Sequence, residues 1–215
     1  MPPTDMPPTD RTPTDLTGDY VLDPTRTRIA FTAAHRFGPT VQGHFTTFKA
    51  SLHLNATTPT TSTAHLTIQS NSLTTNNPRR DTQLHRDFLN TPTHPQITFT
   101  TTTITPTHQP ASQPPTNPHL TTAPAPHHPT AGQPSATPTH LTDVQHFVVS
   151  GDLTIRGTTH PITIPLTVTK LGPDLHFHAT TTLNRHTWHA NWNPLTTALV
   201  HPHVTLTLDL LATRP

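Results

Sequence analysis

The chain has 215 residues, of which 11% are charged and 30% are hydrophobic, and its 12 lysines and arginines nearly balance 11 acidic residues. The resulting formal charge of +1 argues against charge-driven binding to nucleic acid or to an anionic membrane. Because cysteine is absent, the chain has no disulfide, no thiolate nucleophile and no cysteine-bound metal or iron–sulfur cluster.

The first 17 residues are predicted to form a disordered tail. The pentad Met-Pro-Pro-Thr-Asp at 1–5 recurs at 6–10, and such polar, proline-rich repeats bury no apolar surface. This region has no apolar stretch typical of a signal peptide, and no apolar run in the chain approaches the roughly 18 residues that span a bilayer. We therefore expect no transmembrane anchor and a cytoplasmic location.

Two segments, at about 18–105 and 143–212, alternate apolar and polar residues with a period of two, which is typical of β-strands with one apolar face. Glycines at 38, 151, 157 and 172 punctuate these runs. The exception is 77–90, where the four-residue step from Leu84 to Phe88 predicts a short helix. The alternating apolar sets are Ile29, Phe31 and Ala33; Leu52 and Leu54; Leu66 and Ile68; Ile97 and Phe99; Leu153 and Ile155; Ile162, Ile164, Leu166 and Val168; Leu175, Phe177 and Ala179; and Val204, Leu206, Leu208 and Leu210.

Between the two segments lies a stretch at about 106–142 that is rich in proline, contains several histidines and has hardly any large apolar side chain. This composition predicts a long disordered insertion. A fold tolerates such an insertion because the entropy of loop closure grows only logarithmically with length. The sequence therefore predicts a single β-domain at 18–212 that is interrupted once.

About eight alternating runs with few helices predict an all-β domain, mostly antiparallel, that forms either a sandwich or a closed barrel. An eight-stranded barrel holds either its own side chains or one small ligand in its interior. The pattern of alternation leaves both choices open.

Several segments then follow one another in a specific order. They are 20–35 (YVLDPTRTRIAFTAAH), 41–45 (VQGHF), 80–88 (RDTQLHRDF), 95–99 (PQITF), 151–162 (GDLTIRGTTHPI), 184–185 (NR) and 191–193 (NWN). Together they resemble the motif series of the YceI-like family over nearly all of 18–212 outside the insertion. The chain departs from that series at Arg26, Gln83 and His189, and histidine in place of glycine at 189 argues for a different turn or a wider mouth.

The resemblance implies a lipocalin-like, eight-stranded antiparallel barrel with one or two short helices. It implies that the lumen holds a long-chain amphiphile, such as a polyisoprenoid, an isoprenoid quinone or a fatty-acid derivative. The expected function is non-enzymatic binding, with sequestration or transport of the lipid, no cofactor and a possible homodimer.

The candidate lipid-binding residues are those expected on the inward face or at the rim of the barrel. The alternative is that these side chains fill the barrel by themselves. The candidates are Ile29, Phe31, His35, Phe45, Leu66, Ile68, Ile97, Phe99, Leu153, Ile155, Phe177, Leu183, Trp188 and Trp192.

Arg80 and Arg185 are candidates for contacts with the head group, because a guanidinium donates in pairs to carboxylate or phosphate oxygens. The alternative is an ion pair of either arginine with Asp81 that holds the helical segment to the barrel. Trp188 at a barrel rim would combine an apolar ring with a hydrated N–H group.

The rival hypothesis is a metal-binding or metal-dependent protein, which the 19 histidines suggest. His176 and His178, and likewise His201 and His203, place two imidazoles on one strand face, as zinc or copper sites require. Both pairs alternate with apolar residues and should face solvent, so we assign no metal ligands. The chain also lacks nucleophile-elbow, phosphate-loop and dinucleotide motifs, so we assign no catalytic residues. An adhesive role, suggested by the Thr/Pro-rich segments, has no further support.

Overall fold

The computed structural model describes residues 16–107, 144–191 and 199–215. Within them, the chain forms eleven strands and a single α-helix, α1 (Pro78–Gln83). This helix continues into a π-helical turn (Leu84–Leu89). The strands are β1 (Gly18–Leu22), β2 (Arg28–His35), β3 (Val41–Phe45), β4 (Phe48–Leu54), β5 (Thr63–Gln69), β6 (Leu73–Thr74), β7 (Gln96–Thr107), β8 (Val144–Ile155), β9 (Thr158–Leu171), β10 (Asp174–Asn184) and β11 (Val200–Thr213). Short 3-10 turns occupy Pro59–Thr61 and Ser70–Ser72.

These strands close into an eight-stranded antiparallel barrel, because three pairs of short strands each act as one. β1 and β2 lie along the same edge of β11, with Leu22 opposite Ala212 and Arg28 opposite Asp209. β3 with β4, and β5 with β6, are joined in the same way. The remaining members of the ring are β7, β8, β9, β10 and β11. The predicted barrel is confirmed, and the sandwich is excluded.

The three interruptions lie side by side across the barrel wall, at 23–27, 46–47 and 70–72. We call this line the crease. Backbone hydrogen bonds still join neighbouring segments there: the Thr46 N–H donates to the Ser72 carbonyl at 3.2 Å, and the Gln69 N–H donates to the Thr47 carbonyl at 2.9 Å. The strand ladders are thus interrupted at the crease, whereas the five other strands are each continuous.

Alternation along the strands sets the inside and outside of the barrel. On β10, Leu175 and Phe177 are buried, whereas His176 is half-buried and His178 is exposed. The outward positions of the other strands carry many threonines, whose β-branched side chains favour the extended backbone. The polar face of the sheet is therefore built without loss of strand propensity.

The helix α1 begins where the sequence caps it. The Asn77 side chain accepts a hydrogen bond from the Arg80 N–H, and Pro78 occupies the first turn, where its missing N–H has no cost. The π-helical turn ends at Asn90, which adopts a left-handed backbone with φ of 49°. The predicted helical segment is thus present, and Leu84 and Leu89 pack against the core at one end of the barrel.

Parts of the predicted tail and insertion belong to the barrel. The Tyr20 hydroxyl donates to the Leu16 carbonyl at 3.1 Å, and β7 continues through Pro106 and Thr107. The rest of both predicted segments, at 1–15 and 108–143, lies outside the described residues. Among the helices of the described part, none has the length and apolar character needed to cross a membrane.

Candidate functional site

The barrel encloses a cavity of about 380 Å³. Its volume lies within the range of ligand pockets, which is roughly 300 to 1,000 Å³. The described side chains therefore leave part of the lumen open instead of filling it. Six polar residues line the cavity and the rest of the lining is apolar; the six are His35, His65, Arg80, Gln83, Thr101 and Arg185.

The structure brings the sequence-predicted site residues together around this cavity. Trp192 lies outside the described residues, and every other candidate lines the cavity. The lining candidates are Ile29, Phe31, His35, Phe45, Leu66, Ile68, Ile97, Phe99, Leu153, Ile155, Phe177, Leu183 and Trp188, together with Arg80 and Arg185. The candidate residues on β2, β3, β5, β7, β8 and β10 therefore point into the barrel, as the alternation predicts.

The candidates did not include the inward residues of β4, which are Ala50, Leu52 and Leu54, and they missed two further parts of the wall. The first is the inward set of β9 and β11, although both strands show the same alternation that identified their neighbours. The second is the helical segment, where the step from Leu84 to Phe88 was the available signal. The missed residues include Ile162, Ile164, Leu166, Val204, Leu206, Leu208, Leu210, Leu84, Phe88 and Leu89.

Two glycines make room for aromatic rings in the cavity wall. A Cβ at Gly43 would lie 2.4 Å from the Phe31 ring, and a Cβ at Gly151 would lie 2.5 Å from the Phe99 ring. Both glycines occupy inward positions, on β3 and β8. Gly151 therefore does not end a strand, as the sequence suggested, but lets Phe99 lie flat against β8.

Trp188 is buried, with 3% of its surface exposed. Its indole N–H donates to the Leu153 carbonyl at 3.0 Å, and the His160 ring meets it edge-on at 5.5 Å. The hydrated N–H expected at a barrel rim is therefore wrong. Trp188 instead ties the turn after β10 to β8 and presents its ring to the cavity.

Arg185 is the buried cation of the site, with 6% of its surface exposed. Its guanidinium donates to the carbonyl oxygens of Val200, His201 and Ala190 and to the side-chain oxygen of Asn191, at 2.8 to 3.2 Å. Four of its five N–H groups are thus used within the described part of the chain. Burial lowers the pKa of Arg185, which nevertheless keeps its charge near neutral pH. No described carboxylate forms an ion pair with it.

Arg80 is half-buried on α1, and fewer of its N–H groups donate hydrogen bonds than in Arg185. Its Nε–H donates to the Thr75 hydroxyl at 2.7 Å, and one terminal N–H donates to the Thr75 carbonyl at 3.2 Å. Three N–H groups therefore remain without an acceptor among the described residues. Arg80 can reach a guest's head group with more donors than Arg185 can.

The ion pair proposed for Asp81 is wrong. The Asp81 carboxylate accepts hydrogen bonds from the Thr74 hydroxyl and from the backbone and hydroxyl of Thr75, at 2.5 to 2.9 Å. Burial raises the pKa of Asp81, but these hydrogen bonds outweigh burial and hold the pKa below its usual value. The partners of Asp81 that hold α1 to the barrel are therefore threonine donors and not an arginine.

The polar groups of the cavity are unevenly placed. His35, Arg80, Gln83 and Arg185 lie at the end of the barrel that carries α1. In the opposite direction the lining is almost entirely apolar and reaches Leu166. The cavity therefore has one end suited to a polar head and a long remainder suited to an apolar chain.

The turn beside Arg185 keeps a backbone conformation that glycine adopts most readily. His189 has φ of 54°, in the left-handed region. Replacement of the family's glycine by histidine has therefore not forced a right-handed turn at this position.

The paired histidines lie on the outer surface. His178 Nδ1 lies 2.6 Å from the Asp209 carboxylate and His176 Nε2 lies 3.9 Å from it, while His201 and His203 are exposed. Within the described ranges, no group of three or more histidine and acidic side chains is arranged to hold a metal ion.

Comparison with known proteins places the chain in a family. The sequence model of the YceI-like domain matches residues 20–212. BcnA from Burkholderia cenocepacia superposes with a TM-score of 0.67 at 20% identity and covers 89% of this chain and 99% of its own. A polyisoprenoid binding domain from Saccharophagus degradans, implicated in plant cell wall breakdown, superposes with a TM-score of 0.63 at 15% identity over 91% of this chain and 98% of its own.

Curated relatives match over a shorter region. A UPF0312 protein from Shewanella baltica (strain OS185) is 34% identical over 89 residues, which are 40% of this chain and 47% of that protein. The chain thus spans about half the length of the curated relatives it matches.

Proposed function

The chain belongs to the YceI-like domain family, and we propose that it binds a long-chain amphiphilic lipid in its barrel without catalysing a reaction. The candidate ligands are a polyisoprenoid, an isoprenoid quinone and a fatty-acid derivative. The observation that carries the proposal is the open, mostly apolar cavity of about 380 Å³, with four of its six polar lining residues, including both arginines, at one end.

The apolar wall supplies affinity for the chain of the lipid. Each methylene moved from water into such a wall contributes about 0.8 kcal/mol. A chain of about twelve carbons thus gains useful affinity without any charged contact, although ordering the chain offsets part of the gain. The similar S. degradans structure is that of a polyisoprenoid binding domain, which favours the prenyl class among the candidates.

The two arginines would set the orientation of the bound lipid in the cavity. Among the described residues no aspartate lines the cavity, so the positive charges of Arg80 and Arg185 meet no carboxylate there within the part of the chain that the structure describes. We place an acidic or strongly polar head beside Arg80 and Arg185, and the tail along Phe99 and Phe177 towards Leu166.

Native mass spectrometry of the full chain tests the binding. Protein purified under mild conditions, or mixed with a prenyl lipid, is expected to carry about one lipid per chain, which organic extraction removes. Phe31→Arg should abolish uptake because it buries a charge in the cavity wall, and Leu206→Trp should weaken uptake by filling the lumen with apolar volume.

The matched control is Thr32→Arg, which makes the same change at the next residue of β2, on the outer face. It should leave uptake unchanged. A lipid-free mass for the unaltered chain after incubation with prenyl lipid, or equal loss of uptake in Thr32→Arg, would contradict the proposal.

We further propose that the bound lipid is sequestered or transported, and that the chain acts in the cytoplasm, with a homodimer as a possible assembly. Cell fractionation tests the location, and sedimentation velocity tests the dimer. A membrane or periplasmic fraction, or a purely monomeric species at micromolar concentration, would contradict these two statements respectively.

A further inference from the structure

The end of the barrel that carries α1 differs in composition from the opposite end. Because neighbouring strands are antiparallel, the β2–β3 loop, the helical segment, the β8–β9 turn and the turn after β10 all lie at this end. We call it the helical end. The β9–β10 turn and the chain termini of the barrel lie at the opposite end.

Half of the chain's 12 lysines and arginines belong to the helical end, although the net charge of the chain is +1. They outnumber the acidic residues there, of which there are two in the sequence. The cations are Arg36, Arg79, Arg80, Arg86, Arg156 and Arg185, and the acids are Asp81 and Asp87.

Two of these cations are fully available to a partner. The side chains of Arg36 and Arg79 are exposed, and neither forms an ion pair in the part of the chain that the structure describes. Arg86 is 71% exposed and pairs with Asp87 at 2.8 Å. The helical end therefore presents an uncompensated positive charge to solvent.

An exposed aromatic side chain follows Arg36 in the β2–β3 loop, at the same end as the other cations. Phe37 is 89% exposed, and Leu199 is 41% exposed. The Arg36 N–H donates to the Leu199 carbonyl at 2.9 Å, which holds the loops of these two exposed apolar residues side by side. An end that combines exposed arginines with an exposed phenylalanine is typical of surfaces that enter the headgroup layer of an anionic membrane.

We propose that the helical end docks on an anionic lipid bilayer, with Phe37 entering the headgroup layer and Arg36 and Arg79 facing lipid phosphates. The proposal extends the proposed function, because His35 and Arg80 at the same end line the cavity. A lipid leaving the bilayer would thus meet the polar end of the cavity first. Docking itself requires no cargo, so the two proposals fail separately.

The opposite end offers a matched control. Lys170 and Leu171 in β9 form a cation followed by an exposed apolar residue, as Arg36 and Phe37 do, and Leu171 is 48% exposed. Asp174 lies close in the same turn region and pairs with Arg26 at 3.0 Å. This end has the same local residue types without the excess of positive charge.

Co-sedimentation of the full chain with vesicles tests the docking. Vesicles of phosphatidylcholine with about 30 mol% phosphatidylglycerol should bind the chain, and vesicles of phosphatidylcholine alone should bind it far less. Arg36→Gln and Arg79→Gln should each weaken binding by about fivefold, the expected contribution of one cation at an anionic surface. Phe37→Ser should also weaken it, and about 0.5 M salt should remove most of it.

The double variant Lys170→Gln/Leu171→Ser should bind as the unaltered chain does. Equal weakening by this control, equal binding to both kinds of vesicle, or no binding to either would overturn the docking proposal. So would a dimer in sedimentation velocity that Phe37→Ser abolishes, since Phe37 would then contact a second copy. Lipid uptake by native mass spectrometry without vesicle binding overturns only the docking; vesicle binding without uptake overturns only the proposed function.

Discussion

Arg80 and Arg185 both line the cavity, but they offer a guest different things. Four N–H groups of Arg185 donate to acceptors of its own chain, so this residue mainly holds the turn after β10 to β11. Two N–H groups of Arg80 donate to acceptors of the chain, both on Thr75. Arg185 thus contributes its charge, whereas Arg80 contributes charge and free donors.

Arg80→Gln is expected to weaken binding of a fatty acid about tenfold, because it removes a charge-assisted hydrogen bond to the carboxylate. Binding of the fatty alcohol of the same chain length should change little. Titration calorimetry with both ligands measures the difference, and Arg79→Gln on the exposed side of α1 is the control. Equal weakening for acid and alcohol would show that Arg80 supports the wall and does not contact the head.

Asp81 links the stability of the helical segment to pH. Its pKa in the folded chain lies below the unfolded value of about 3.9, because the hydrogen bonds from Thr75 and Thr74 outweigh burial. A carboxyl of this kind contributes stability above its unfolded pKa and loses that contribution as pH falls through its folded pKa. The contribution should therefore be complete at neutral pH and fade in acid.

Asp81→Asn is expected to lower the free energy of unfolding by about 1–3 kcal/mol at neutral pH, since it removes a charged acceptor from three donors. The difference from the unaltered chain should shrink as pH falls from about 4 towards 2. Chemical denaturation across this range measures it. Asp152→Asn, at an exposed position of β8, should change the free energy by less than about 0.5 kcal/mol throughout. A difference for Asp81→Asn that stays constant with pH would refute the linkage.

The hydrogen-bond partners of Asp81, Arg80 and Arg185 were the part of the site that was hardest to predict from the sequence. Charge alone favours pairing Asp81 with an arginine, yet its partners are Thr74 and Thr75, which are neutral and abundant in this chain. Arg185 is held by backbone carbonyl oxygens of β11, and backbone acceptors carry no sequence signature. The candidate arginines were identified by residue type, whereas their hydrogen-bond partners depended on the fold: the start of β11 for Arg185, and the turn before α1 for Arg80.

Among the elements, β3 and β8 show where the alternation of apolar side chains is interrupted within a strand. β2, β9 and β11 carry an apolar side chain at nearly every inward position, so the period of two is visible in the sequence. β3 and β8 each place a glycine inward, at Gly43 and Gly151, and the pattern breaks there. The missing side chain is replaced by the ring of a neighbouring strand, which a one-dimensional pattern does not show.

Gly151→Ala is expected to lower the free energy of unfolding by about 1–3 kcal/mol, the usual cost of overpacking. The added Cβ would lie 2.5 Å from both the Phe99 ring and the Thr100 carbonyl, and the carbonyl belongs to a backbone that cannot turn away. Thermal and chemical unfolding measure the change.

Gly38→Ala is the control for this substitution, because a Cβ there would meet only ordinary contacts, at 3.6 Å and beyond. It should leave stability nearly unchanged. A Gly151→Ala protein as stable as the unaltered chain would mean that the Phe99 ring does not lie against β8 in solution.

At the scale of the whole molecule, the near-zero net charge hides an uneven distribution. The composition argued against binding to an anionic membrane, because it counts all 12 cations against all 11 acids. The antiparallel topology gathers half of the cations at the helical end. The sequence predicted the barrel correctly through its strand pattern and motif series. The uneven distribution of charge between the two ends could not be predicted in this way, because it depends on which loops lie at the same end of the barrel.

The insertion is expected to be dispensable for lipid binding. The strands that surround the cavity pair into a closed ring from the described residues alone, and Thr107 pairs with His146 on the adjacent strand. Replacing 108–143 by a short glycine–serine loop should leave the number of lipids bound per chain unchanged and the dissociation constant within about twofold. Native mass spectrometry and titration with a fluorescent prenyl lipid measure both. Loss of uptake in the shortened chain would show that the segment takes part in binding.

The barrel wall has two parts, and the crease lies in only one of them. The part made of β7 to β11 is joined by long, unbroken ladders, whereas the part made of β1 to β6 is interrupted along one line. Segments with interrupted ladders open locally at lower cost than continuous ones. We therefore expect the wall to yield to a bulkier guest on the β1–β6 side first.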